Sequence, residues 1–106
     1  MTTFAVAHLH AVRMGPAIAE YLERIDATLA PFGGRFVLHG EPIEPLEGSF
    51  EGDLVIIAFP DRASARAWYR SPAYQAILPL RRENAEGAVF FVDTVGSDHR
   101  ATDILR

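Results

Sequence analysis

The sequence predicts an α+β domain of the ferredoxin-like type: a four-stranded antiparallel sheet with its helices on one face. Three observations predict it. Strand and helix patterns alternate in the order strand, helix, strand, strand, helix, strand. The run Leu54 to Phe59 is apolar at nearly every position, the mark of a strand covered on both faces. That run passes straight into a helix opened by Asp61 and followed by a second helical piece opened by Ser71-Pro72.

Residues 3 to 12 alternate as a strand. Ala5, Ala7, Leu9 and Ala11 form one small apolar face, and Phe4, Val6, His8, His10 and Val12 form the other. Gly15-Pro16 opens a helix in which Ile18, Tyr21, Leu22, Ile25 and Leu29 recur at helical spacing, while Glu20, Glu23, Arg24 and Asp26 face water. Pro31 and Gly33-Gly34 end it. Arg35 to Gly40 is a short strand. Glu41 to Gly52, acidic and holding Pro42, Pro45 and Gly48, is a loop. The Asp61 helix runs to about Arg70, and Pro79 kinks or ends the helix begun at Ser71. Gly87 precedes the last strand, Ala88 to Val95. Residues 1–95 thus form one domain, and 96–106 a polar tail anchored only by Ile104 and Leu105.

Several strands are apolar on both faces: Val55, Ile57 and Phe59 against Leu54, Ile56 and Ala58, and Phe90 and Val92 against Val89 and Phe91. Helices cover one face. The other needs a cover too, because an exposed apolar patch of several hundred Å2 is unusual in a monomer. A second copy packed sheet to sheet, with two-fold symmetry, supplies it. The expected partners are therefore a second protomer and a small organic ligand.

Composition narrows the function classes. The chain has 106 residues, 49% hydrophobic and 23% charged. That is enough for one ordered core. With no cysteine, it has no disulfide, thiolate nucleophile or cysteine-held metal. The net charge is -4 and all ten basic residues are arginine. An acidic balance argues against a nucleic-acid partner. The N-terminus has no basic region ahead of its apolar stretch, so it does not read as a signal peptide, and no apolar run is long enough for a membrane span. A cytoplasmic location is expected.

Gly33-Gly34-Arg35-Phe36, Phe59-Pro60-Asp61-Arg62 and Trp68-Tyr69-x-Ser71-Pro72-x-Tyr74-Gln75 resemble the domain-of-unknown-function 1330 family over residues 4 to 95. The last block is the most specific. The resemblance implies membership of the dimeric α+β barrel superfamily. That superfamily includes cofactor-free monooxygenases, muconolactone isomerase-like and chlorite dismutase-like enzymes, and aldoxime dehydratases, with ligands between sheet and helices or inside the barrel. Two departures stand out: family members commonly carry other polar residues where His8 and His10 stand, and the tail after Val95 matches no family pattern.

The candidate catalytic residues are His8, His10 and His39, because imidazole titrates near neutrality and can move a proton. His8 and His10 share a strand face opposite the small residues, so they point away from the helices. They read as polar residues at a dimer seam, as a substrate-facing acid or base, or as two ligands of a metal site, which normally needs three or four. His39 lies on an edge strand, separated from the first strand by the third. Strict alternation puts Arg35 and His39 on one face. Arg35 then holds a ligand carboxylate or pairs with Glu41 or Glu44. Trp68, Tyr69 and Tyr74 are the candidate ligand-binding aromatics; the alternative is that they fill core. Ser71 caps a helix and lacks any nucleophile signature. Arg62, Arg66 and Arg70 form one solvated helix face. No phosphate loop, dinucleotide fingerprint or His-Glu-x-x-His occurs, and no cofactor or metal is expected. The reading is a cofactor-free enzyme acting on a small organic molecule, the alternative a binding or dimerisation module without turnover.

Overall fold

The computed structural model describes residues 1–105. Its elements are β1 (Thr3–Val12), α1 (Pro16–Leu29), β2 (Arg35–His39), β3 (Asp53–Phe59), α2 (Arg62–Arg70), α3 (Pro72–Arg82) and β4 (Ala85–Asp93). One 3-10 turn, Ala30–Phe32, follows α1, and another, Ala101–Leu105, lies in the tail. The sheet is antiparallel with order β2-β3-β1-β4. This is the ferredoxin-like arrangement that the element order predicts.

Local chemistry sets the element ends. Gly33, at φ 71, takes the left-handed conformation that closes the turn after α1. Asp61 accepts a hydrogen bond from the Ser64 amide and starts α2. Ser71 starts α3 by accepting from the Tyr74 amide, and its hydroxyl donates to the Trp68 carbonyl at 2.7 Å, so one side chain ends α2 and begins α3. Pro79 does not end α3. The helix runs through it to Arg82.

The helices cover one face. Ala5, Ile57 and Phe59 of the sheet pack against Tyr21, Ile25 and Leu29 of α1, Trp68 of α2, and Tyr74, Ile77 and Leu78 of α3. Buried polar groups tie the helices together in pairs. Trp68 Nε1 donates to Thr28 Oγ1 at 3.0 Å, and Thr28 in turn donates to the Ile25 carbonyl. The hydroxyls of Tyr21 and Tyr74 lie 2.8 Å apart. No described buried side-chain polar atom lacks a hydrogen bond.

Two β-bulges change the faces that strict alternation assigns. In β1 the register shifts between Leu9 and Ala11, opposite Gly87 and Glu86, and Val12 comes to face buried Ala85 on the helix side. Gly87 lies inside β4 and does not precede it. A Cβ there would run into the His8 carbonyl oxygen, a clash only glycine avoids. In β2 the register shifts between Phe36 and Leu38. Arg35 then shares the open face with Ala58, while His39 shares the helix face with Val55. The expectation that Arg35 and His39 lie on one face is therefore wrong.

No helix among the described residues is long and apolar enough to cross a membrane.

Candidate functional site

A cleft of about 330 Å3 lies between the sheet and the helices. Its origin is legible in side-chain size. The helix face of the sheet consists of rows: Phe36, Ile57, Ala5 and Phe91, then His39, Val55, Ala7 and Val89. At the centre of both rows, on β1, stands an alanine. The floor is low there, and α1 and α3 bridge over it without filling it. Tyr21 and Ile25 of α1, Trp68 of α2 and Tyr74 of α3 form the walls. His39, Gly40, Asp53 and Met14 also line the cleft, and Met14 at 72% exposure marks its solvent side. The volume falls at the lower end of small-molecule sites, roughly 300–1,000 Å3.

The polar groups of the cleft are few. His39 and Asp53 are exposed at the mouth, and the His39 ring stacks on Phe36 at 4.4 Å between centroids. Arg81 of α3 is half-buried, seven residues and so two turns beyond Tyr74 on the same helix face. It stands close enough to both tyrosine hydroxyls to interact with each. Burial, with the neighbouring Tyr74 oxygen adding to it, pushes Tyr21 far above the ordinary tyrosine range, and the pull of Arg81 in the other direction is smaller. Tyr21 is therefore a neutral hydroxyl at any physiological pH. No carboxylate among the described residues pairs with Arg81; the described ion pairs are Arg24–Glu20, Arg62–Asp93 and His99–Asp103.

The sequence-predicted residues divide between the two faces. His39, Trp68 and Tyr74 line the cleft. Tyr69 is half-buried outside it, edge-on to Phe91 at 6.3 Å. Arg35 is exposed on the open face and pairs with no described acid, Glu41 and Glu44 included; the Glu41 carboxylate accepts from the His39 amide instead. His8 and His10 are on the open face, with ring centroids 4.3 Å apart. His8 also stacks on Phe50 of the loop between β2 and β3, at 4.6 Å, and its Nε2 donates to the Glu51 carbonyl at 2.8 Å. The three histidines therefore do not converge, and no group of three metal-ligating side chains forms among the described residues. Of the helical arginines, Arg62 reaches back to Asp93 at 3.0 Å, while Arg66 and Arg70 stay in solvent.

The sequence places Tyr21 in the apolar stripe of the first helix, and Arg81 only among the arginines clustered between positions 62 and 82. The signal for the first is its hydroxyl, which needs a partner once buried. For the second it is the seven-residue step from Tyr74.

The family model for Domain of unknown function (DUF1330) matches residues 2–95. The chain belongs to this family. Its structural neighbours in the family's fold share little sequence. A protein of unknown function from Rhodopseudomonas palustris is 20% identical over 90% of this chain and 83% of its own, with a TM-score of 0.65. A dimeric ferredoxin-like protein of unknown function from Jannaschia sp. CCS1 is 15% identical, covering 91% of this chain and all (100%) of the other, with a TM-score of 0.59. SnoaB, a cofactor-independent oxygenase from Streptomyces nogalater, is 16% identical over 93% and 98%, with a TM-score of 0.56. At these identities the likeness is one of fold. None of the curated proteins matches.

Proposed function

We propose that the chain is a homodimer joined through its open sheet face, and that each protomer acts, without a cofactor, on a small organic molecule held in the helix-side cleft. The observation that carries this reading is the cleft itself: an apolar chamber floored by Ala5 and Ala7, with His39 at its mouth. A proton-transfer reaction suits this lining. Its side chains include no serine, threonine or cysteine, so acyl transfer to a hydroxyl or thiol of those residues has no nucleophile there. His39 accepts a proton from the bound molecule and returns it to another atom, so no external oxidant or reductant is needed. A structural neighbour named as a cofactor-independent oxygenase supports the view that this fold serves enzymes that need no cofactor.

The open face supports the dimer. Phe90 and Val92 remain 48% and 45% exposed there, beside half-buried Phe4, Leu54 and Ile56. A neighbour named as dimeric points the same way.

The same lack of a nucleophile favours a second reading, a binding module without turnover. One experiment separates the two. Freshly purified protein is examined by native mass spectrometry for co-purified small molecules, and any bound molecule is then incubated with wild type and with Ala7→Leu, which raises the floor of the cleft. A dimer whose ligand is chemically changed by wild type and not bound by Ala7→Leu is expected. A ligand bound but returned unchanged gives the binding module. Equal binding by Ala7→Leu contradicts the cleft as the site.

A further inference from the structure

We infer that the Arg81 end of the cleft is a carboxylate-recognition site, so that the molecule held there is a compact apolar monocarboxylate with its acid group on Arg81 and its body over Ala5 and Ala7. This rests on the cleft reading above and names the ligand class for it.

Charge comes first. Arg81 lines an otherwise mostly apolar chamber. Its guanidinium is cationic at every physiological pH. A half-buried cation is costly to hold without an anion, yet no described carboxylate lies within ion-pair distance of it. Asp53, the acid that lines the same cleft, is exposed at the mouth and makes no ion pair with Arg81. The groups of the protein that interact with Arg81 are the hydroxyls of Tyr21 and Tyr74, which bring it no carboxylate.

The hydrogen-bond inventory agrees. Tyr21 and Tyr74 carry two hydroxyl protons between them. The contact between the two hydroxyls uses one. The tyrosine that accepts in that contact keeps its own proton, for which no further acceptor is described. Arg81 and that hydroxyl together offer several donors and no anion, the complement of a carboxylate with its acceptor-only oxygens. The remaining lining, Ile18, Ile25 and Trp68 among it, fits an apolar body and offers a second polar group no comparable site at that end.

Trp68 is the only tryptophan of the chain and lines the cleft, so its fluorescence reports occupancy. The probes are straight-chain monocarboxylates from butanoate to decanoate, phenylacetate and 4-phenylbutyrate, each titrated beside its own amide. Wild type is expected to bind the best carboxylate at least about ten-fold tighter than the matching amide. Arg81→Gln is expected to erase that preference while keeping the amide affinity, and Arg81→Lys to restore part of it. The preserved amide affinity shows that the Gln variant is folded. If amide and carboxylate bind wild type equally, or if Arg81→Gln keeps the preference, the carboxylate site is overturned while the cleft stands. If no probe of either kind perturbs Trp68, both this inference and the cleft reading are overturned.

Discussion

The two faces of the sheet differ in how they solve the same problem. On the helix face, apolar strands are covered by α1, α2 and α3, and the cover leaves a cleft whose lining includes the small residues Ala5 and Ala7 of β1. On the open face, Phe4, Ile56, Phe90 and Val92 have no cover from the protein's own helices, and polarity enters through His8 and His10. The lesson is that a polar cluster on a sheet is not by itself a site. His8 is occupied, bound to the Glu51 carbonyl and stacked on Phe50. The unsatisfied chemistry, a cation with no ion-pair partner among the described residues, sits on the other face at Arg81.

The largest effect that sharpens this comparison is at Trp68. Trp68→Ala removes a fully packed side chain from the centre of the helix face and the hydrogen bond its indole donates to the Thr28 hydroxyl. It should lower stability by roughly 3–5 kcal/mol, measured by denaturant unfolding. A loss below about 1 kcal/mol would mean that the helix face is not the main core.

The open face should respond in assembly more than in folding. Phe90→Asp places a charge on the proposed dimer seam and is expected to give a folded monomer by analytical ultracentrifugation where wild type sediments as a dimer. A variant that remains dimeric would move the interface elsewhere.

The histidines divide the same way. With a bound, turned-over ligand, His39→Ala should slow turnover about 100- to 10,000-fold with binding retained, the usual range for a general acid or base. His10→Ala should leave turnover unchanged. The reverse ranking would move the chemistry to the open face.

The smallest effect concerns pH. Asp93 accepts from the Thr3 hydroxyl at 2.7 Å and from Arg62, and these contacts hold its carboxyl below the usual carboxylate range. A carboxyl depressed on folding stabilises the protein above its unfolded pKa, and that contribution is lost as pH falls through the folded value. The thermal stability of wild type should therefore fall below about pH 4, and Asp93→Asn should flatten that fall. An unchanged acid limb in the variant would assign the loss to other groups.

Element order, helix starts and the two-sided apolar strands were legible because each depends on local signals: Pro16, Asp61, Ser71-Pro72 and the run 54–59. The faces of β1 and β2 beyond their bulges were not. A period-two reading carries each side chain to a fixed face, and one inserted residue at His10 or Val37 reverses everything after it. Gly87 was the available sign of the first bulge, and β2 holds no comparable sign of the second. That second bulge separates His39 from Arg35 and puts it in the cleft. Arg81 escaped for a different reason: whether a helical arginine faces solvent or a cavity depends on how α3 docks, and its own neighbours in sequence, Arg82 and Glu83, give no sign of the cavity.

The most direct test of the two-face account is a crystal structure of the protein with the tightest carboxylate found through Trp68 fluorescence. The account predicts two protomers sealed through Phe90 and Val92, with ligand density between Arg81 and His39 in each cleft. Density between the two sheets, against His8 and His10, would contradict it.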